Sequence, residues 1–556
     1  MNSETNGLND FNEHDELNRL NKLKKPEEPD EMAELPQREA LNLENESDLR
    51  DEFIGLSEQS EPAELPGTSS AQVLDNPESV RQNPSERNPL AAGRLKLNFF
   101  NFKKFRGRYL LTNDLGYSLM LSPSEFEKLR DVSSIDPEGD LAQKLIETKM
   151  AFQGSAMEFI TDHYHELRDY KDHLNQAPSL HIFVVTTACN MRCVYCQANS
   201  GQNRPTHVMD IQTARKAVDF ALQSPNPSLT FEFQGGEPLL NFEVIRFITE
   251  YALANKKDKE ITFSIVSNLL LLSDEMIEFF KKYHFGVSTS VDGPDAVHNI
   301  NRFLPDGSGT LDLLTGQLTR LRKAGIFPGA IQTTTRHSLD YPEEIVRAYR
   351  DLGFERIFIR PLTPLGKADK NWQKIGYSPD QFLNFYEKAL NEIIRLNESG
   401  HLMVEDHAAI LLKKINRVPM NYMELRSPCG AGIGQLAYYP DGNIFTCDEG
   451  RMVYESGSDI FKVGHVNDPS FAKTIQNSIC KTMCIASTLE SLPSCTDCVY
   501  QPYCGTCPVI NYAETKDLIE KEPGGYKCRI YKGLLDLIFE KMEDEETKKL
   551  FEYWSF

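Results

Sequence analysis

The stretch HIFVVTTACNMRCVYCQAN, residues 181–199, decides the reading of this chain. It opens as a run of β-branched and aromatic residues, the signature of a buried strand. It then passes straight into a loop carrying Cys189, Cys193 and Cys196, a C-x3-C-x2-C spacing. Five further runs of the same kind follow: LTFEFQG, ITFSIVSN, FGVSTSV, GAIQTTT and RIFIRPL. Helical stretches separate them. In IQTARKAVDFAL the apolar Ile211, Ala214, Val218, Ala221 and Leu222 recur at helical spacing, and Asp210 is placed to cap the start. Such alternation predicts an α/β fold with a parallel sheet, open or curved into a barrel, and a site at the carboxyl ends of the strands.

Upstream, residues 95–175 read as a small α+β module. FNFKKF, RYLLTND and YSLMLS are three short strands, followed by helix-like SPSEFEKLRD, with Ser122 or Ser124 as N-cap, and LAQKLIETKMAF. Downstream of the strand–helix region at 180–365 lies a mostly helical bridge, 366–428. Residues 429–530 are rich in cysteine, and within them GQLAYYPDGNIFTC reads as a hairpin turning at Asp441-Gly442. Residues 531–556 read as an amphipathic helix.

The chain has 556 residues and a net charge of −22, unevenly spread. Residues 1–90 hold 22 acidic and 8 basic side chains, eight prolines and two aromatics, and read as a disordered acidic tail. The remainder is close to charge balance, which excludes a basic nucleic-acid footprint. No apolar run reaches the ~18 residues of a membrane span, and the start lacks a signal peptide's pattern, so a cytoplasmic protein is expected.

All 12 cysteines fall at or after Cys189. In a reducing compartment such a grouping favours metal or redox chemistry over disulfides. Zinc would want a fourth ligand near the first three, and no adjacent side chain offers one. Three thiolates on a 4Fe–4S cluster leave one iron open for an exogenous ligand.

At these residues the chain resembles the radical S-adenosylmethionine superfamily, whose signature C-x3-C-x-aromatic-C follows the first strand of a partial (β/α)6 TIM-like barrel. Tyr195 stands at the aromatic place. FQGGEPLL resembles the family's GGEP element, so the resemblance implies that Gly235, Gly236, Glu237 and Pro238 meet the amino and carboxylate ends of the cofactor. Ser267-Asn268 stands where Thr-Asn-Gly is frequent, with Leu269 in place of the glycine. Ser290, with VDGP and Arg302, matches a further cofactor-binding element. The implied chemistry is electron transfer from the cluster into S-adenosylmethionine, giving a 5′-deoxyadenosyl radical that removes hydrogen from a C–H bond.

The later cysteines run Cys429-x12-Gly442-x4-Cys447, Cys495-x2-Cys498-x5-Cys504-x2-Cys507 and Cys528. Read alone, the paired C-x2-C units suit a zinc ribbon, but seven thiolates exceed one zinc. The pattern resembles the SPASM extension of radical enzymes, one residue short before Cys507. That resemblance implies two auxiliary 4Fe–4S clusters, one on Cys495, Cys498, Cys504 and Cys528. The other would sit on Cys429, Cys447 and Cys507, without an obvious fourth ligand. Cys480 and Cys484 fall outside the pattern, either completing that cluster, binding substrate or remaining plain thiols. Asp448, next to Cys447, occupies the place of a proton-accepting Asp in sulfatase-maturing relatives.

Over about residues 97–540 the chain is similar to the maturases of His-Xaa-Ser peptide systems. This implies a ribosomally made precursor peptide or a protein as substrate, a reducing partner such as flavodoxin or ferredoxin, and no nucleic acid or membrane. The module at 95–175 would be either a leader-peptide recognition element or a cap. Two alternatives stand beside this: a Ser or Cys oxidase of the anaerobic sulfatase-maturing type, and a non-catalytic iron–sulfur or zinc-binding scaffold.

Overall fold

The computed structural model describes residues 94–200, 206–420, 422–519 and 524–556. The tail read at 1–90 lies outside the described residues. In the amino-terminal module β1 (Lys96–Leu97), β2 (Asn101–Phe105), β3 (Arg108–Thr112), β4 (Ser118–Leu121) and β5 (Ala151–Phe152) form two small sheets, β2-β3-β4 and β1-β5, all antiparallel. Ser122 is the N-cap of the helix that follows: its side chain accepts from the Glu125 amide while Glu125 reaches back to the Ser122 amide.

Ten strands share the main sheet. β6 (Leu180–Thr186), β7 (Ser228–Gly235), β8 (Glu260–Val266), β9 (Gly286–Ser290), β10 (Gly329–Thr333) and β11 (Arg356–Arg360) are the six runs read from the sequence, and each pairs in parallel with the next. Helices 211–221, 242–255, 274–282, 311–323 and 342–351 cover the outer face. Asp210 caps the first of these, accepting from the Thr213 amide at 2.7 Å. The alternating pattern of β7 shows why the sheet curves around a polar interior. Leu229, Phe231 and Phe233 are buried under the helices, whereas Glu232 and Gln234 point the other way. Ser264, Ser290 and Arg360 take the same inward side of β8, β9 and β11.

Two features go beyond the expected six-stranded barrel. The stretch read as a mostly helical bridge contributes β12 (Val404–Glu405), which pairs in parallel with β11. The cysteine-rich region supplies β13 (Gln435–Tyr438), β14 (Asn443–Phe445) and β15 (Lys462–His465). Of these β13 pairs in parallel with β6, so the hairpin turning at Asp441-Gly442 is welded onto the barrel sheet. Gly442 has a φ of 89° and serves that turn. The carboxyl terminus forms two helices, Tyr526–Lys541 and Glu545–Trp554, in place of the single helix expected from 531. Asp544 caps the second, which ends the first. Among the described residues no helix is long and apolar enough to cross a membrane.

Candidate functional site

The cysteine loop leaves the carboxyl end of β6 and is held from several sides. The amides of Arg192 and Val194 donate to the carbonyls of Phe303 and Asn301, at 2.8 and 2.9 Å. The side chain of Asn371 donates to the Val194 carbonyl at 2.8 Å. Beneath the loop Tyr195 is buried and its hydroxyl donates to the Asp292 carboxylate, while Arg302 donates to the same hydroxyl at 2.9 Å. Burial raises the Asp292 carboxyl to about 6, against the pull of Arg302 and the tyrosine hydrogen bond. Tyr195 and Arg302 thus brace the loop, with Asp292, which the sequence reading did not single out, joining them. Asp292 lies in the VDGP stretch, so the signal was present.

The three thiols are close enough to feel one another's charge. Burial, and then Cys193, pushes the Cys189 thiol up to about 12. Burial also raises Cys193, with the Arg302 guanidinium opposing it. A raised thiol such as Cys189 or Cys193 gives up its proton when a cationic centre takes it as a thiolate.

The GGEP element presses on this loop. The Gly236 amide donates to the Thr186 carbonyl at 2.8 Å and the Glu237 amide to the Ala188 carbonyl at 2.7 Å. A Cβ on either glycine would come within 2.1 Å of the Thr186 or Ala188 carbonyl oxygen, and Gly235 has a φ of 155°. Glu237 is buried and its carboxylate accepts from the Ser267 hydroxyl (2.7 Å) and the amides of Asn268 (2.8 Å) and Leu239 (3.0 Å). It therefore braces the ends of β7 and β8 together, with Pro238 opening the short 3-10 turn it caps. Asn268 donates from its side chain to Asn190 at 2.8 Å, which ties the β8 end to the cysteine loop. Leu269, where the resembling family places glycine, has a φ of 64° and is fully buried. Ser290 ends β9 on the interior side.

Asp448 opens helix 448–455 and is buried, paired with the equally buried Arg451 at 2.7 Å. Its charge reaches Glu232 on the interior of β7, whose carboxyl is raised by burial first and then by Asp448, against a hydrogen bond from Gln234. Glu232 and Arg451 escaped the sequence reading. Glu232 sits in an alternating strand, where its direction becomes meaningful only once the sheet curves.

The later thiols fall into two groups. Cys429, Cys447 and Cys507 share one buried cluster with Leu365, Met483 and Val509. Burial pushes Cys447 well up and Cys507 to about 12. In the second group Cys504 is pushed up to about 12 by burial and by Cys498, Cys528 and Cys495. Cys528 arrives on the first turn of helix 526–541. Cys480 and Cys484 lie on helix 478–485, whose Met483 packs in the Cys429 cluster, and the Cys429 amide donates to Ser487 just beyond that helix at 3.0 Å. Among the described residues no three His, Cys, Asp or Glu side chains converge on a single metal ion.

Residues 183–334 match the family model described as the radical SAM superfamily. An uncharacterized protein of Methanocaldococcus jannaschii is 31% identical over 243 residues, covering 42% of this chain and 83% of that protein. The chain belongs to the radical SAM superfamily. The radical SAM enzyme also matches a serine-type anaerobic sulfatase-maturating enzyme of Bacteroides thetaiotaomicron, 23% identical over 64% of this chain and 88% of that one. A radical SAM cyclopropyl synthase, TigE, of Paramaledivibacter caminithermalis is 24% identical over 66% of this chain and 75% of that one. The solved structure of anSMEcpe with bound AdoMet and Kp18Cys peptide shares the fold, with a TM-score of 0.58 and 19% identity, over 67% of this chain and 99% of that one.

Radical SAM enzymes use a 4Fe–4S cluster and S-adenosylmethionine, and the donor set fits both. By number and chemistry, three thiols on one loop suit a cubane with one open iron. The braced GGEP loop, Asn268, Ser290 and Arg302 stand around the same end of the barrel.

Proposed function

We propose that this radical SAM enzyme modifies a side chain of a ribosomally made peptide or of a protein. The observation that carries the reading is Asp448, which joins the cysteine-rich region to the barrel interior: it adjoins Cys447 in one buried thiol group and its charge reaches Glu232 in the lumen. The bound cluster and S-adenosylmethionine supply a 5′-deoxyadenosyl radical. Cys189, Cys193 and Cys196 hold the cluster. Gly235, Gly236, Glu237 and Pro238 with Ser267, Asn268, Ser290 and Arg302, braced by Tyr195, hold the cofactor. Asp448 takes the proton as the substrate is oxidised, held in place by its 2.7 Å contact with Arg451. Cys429, Cys447 and Cys507, and Cys495, Cys498, Cys504 and Cys528, would hold two auxiliary clusters, which would supply an acceptor for the substrate's electron. A cluster held by Cys189, Cys193 and Cys196 would need a low-potential electron donor such as a cytoplasmic flavodoxin or ferredoxin.

The amino-terminal module serves as the leader platform. It is fixed to the cysteine-rich region: Asn101 donates to the Thr496 carbonyl at 2.9 Å, Thr112 to the Val499 carbonyl at 2.6 Å, and Tyr503 to the Gly116 carbonyl at 3.1 Å. Among the described residues β4 is an edge strand, bonded to β3 alone. Helix 156–170 leaves Met157, Ile160, Tyr164 and Leu167 exposed along one side. An edge strand suits an added peptide strand, and the helix stripe offers a further apolar surface on the same module.

Anaerobic reconstitution with reductant and S-adenosylmethionine should release 5′-deoxyadenosine. Co-expression with small neighbouring open reading frames should change the mass of one peptide product. Absence of 5′-deoxyadenosine sinks the enzymatic reading. A product formed only from a sulfatase-type Ser or Cys peptide moves the assignment to the sulfatase-maturating oxidase, a reading favoured by the names of the B. thetaiotaomicron relative and its kin.

A further inference from the structure

The strands of the barrel differ in what they show to its interior. On β6 the inward Ile182 and Val184 are buried against Ala437, Tyr439 and Phe445 of the cysteine-rich region. From β7 to β11 the pattern changes. Outward side chains such as Phe231, Phe233 and Ile359 are buried, whereas the inward ones stay at least partly open to solvent. This side of the lumen is therefore accessible along its depth. Beyond the first residue of each of these strands, the inward positions carry two charged side chains, Glu232 and Arg360.

Arg360 has its counter-charge in Glu424, at 2.6 Å. Asp448 and Arg451 likewise pair with each other at 2.7 Å. Glu232 differs. Among the described residues it forms no ion pair, and the side chains bonded to it are neutral: the Gln234 amide donates to one carboxylate oxygen at 2.6 Å, and the Ser264 hydroxyl donates to the other at 3.3 Å. These bonds fix the direction of the carboxylate from two neighbouring strands. They fill two of its roughly four acceptor positions and leave its charge uncancelled. A carboxylate drawn partly out of water is unfavourable until a cation meets it. Its depth in the barrel is set by the register, which places Glu232 beside Ile182 of β6 and Ser264 of β8. Glu232 precedes Gly235 by three residues, so at about 3.3 Å per residue its row lies roughly 10 Å down the strand from the GGEP turn. A target carbon held at the cofactor end leaves this depth to a long side chain, with Glu232 at its foot.

We propose that Glu232 selects the substrate by receiving the cationic head of a lysine or arginine side chain, carried by the modified residue or by one within two positions of it. The charge-assisted hydrogen bonds so formed hold that residue upright in the lumen and its methylene groups nearer the cofactor end. This rests on the peptide- or protein-modifying reading above.

The test uses the full chain, reconstituted anaerobically with S-adenosylmethionine and reductant, and the peptide whose mass changes on co-expression. That peptide is synthesised in three forms: as encoded, with the lysine or arginine nearest the modified position changed to glutamine, and with it changed to glutamate. The three compete in one reaction, where product ratios by mass spectrometry give ratios of kcat/KM. The encoded form should be preferred to the glutamine form roughly 10- to 100-fold, the range of a hydrogen bond to a charged group, and the glutamate form should be poorest. Glu232→Gln should remove most of that preference, and Glu232→Lys should make the glutamate form the best of the three. An unaltered enzyme that takes the encoded and glutamine forms equally, a modified site with no lysine or arginine within two positions, or a Glu232→Gln protein that keeps the full preference overturns the assignment. The first two of these need no altered protein, so they decide against it even where a variant does not fold. If no peptide changes mass, the modifying reading itself fails and takes this inference with it.

Discussion

Leu269 shows how one position can depart from a family habit and keep its geometry. A φ of 64° is left-handed, where a Cβ costs roughly 1–2 kcal/mol. Full burial of the leucine side chain returns about 1.5–3 kcal/mol, so the two effects roughly offset. Leu269→Gly should therefore change the melting temperature little, while Leu269→Ala, which keeps the strain and loses the packing, should lower it clearly. Thermal melts of the two variants check this. Tyr195 depends on a polar balance instead. Tyr195→Phe leaves Asp292 and Arg302 buried without their shared hydroxyl, a loss of about 1–3 kcal/mol. The variant should retain less iron on the cysteine loop, read as iron bound per chain after gel filtration. Neither result could be read from the sequence: a tyrosine between two cysteines is visible there, but its partners come from residues about 100 positions later.

At the scale of elements, β11, β12 and the helix starting at Asp406 meet at Glu405. This residue is fully buried, caps that helix through the Ala408 amide, and accepts from Ile359 at 3.0 Å and from Tyr386. Burial, against those hydrogen bonds, raises its carboxyl from 4.5 to about 7. An acid with a raised folded pKa favours the fold while protonated. Its contribution is thus complete below about 4.5 and is lost as pH rises through about 7. The shift corresponds to about 3 kcal/mol at most. Glu405→Gln should flatten the fall of melting temperature between pH 5 and 7.5, approximately the titration window; an unchanged slope refutes the assignment. The cysteine loop has its own element-level constraint. Gly236→Ala places a Cβ about on top of the Ala188 carbonyl, so the loop must shift, and iron binding at Cys189, Cys193 and Cys196 should fail while the later thiol groups still load. Here the sequence was informative, since GGEP after a strand already marked a close backbone approach. The approach that the structure shows is to the carbonyls of Thr186 and Ala188.

Across the whole molecule the six strand–helix units were legible because each carries its own period of hydrophobicity, and the hairpin because Asp441-Gly442 is a strong turn. The joints between regions were not legible, because they depend on edges that complete one another. β13 supplies the partner of β6, the first barrel strand, through Gln435↔Leu180 to Tyr438↔Phe183. The amino-terminal module in turn leans on Thr496, Val499 and Tyr503, and Lys103 pairs with Asp536 at 3.0 Å. The cysteine-rich region is thus part of the barrel's architecture and of the module's footing. A chain ending before Cys429 would bare the edge of β6, including buried His181 and Phe183, and strip the module of its supports. Exposed apolar strand edges pair with other chains. The truncated protein should therefore aggregate or run as soluble oligomers on gel filtration, even with Cys189, Cys193 and Cys196 intact. A monomeric, cooperatively melting fragment of residues 94–428 that binds iron would show instead that the barrel closes on its own.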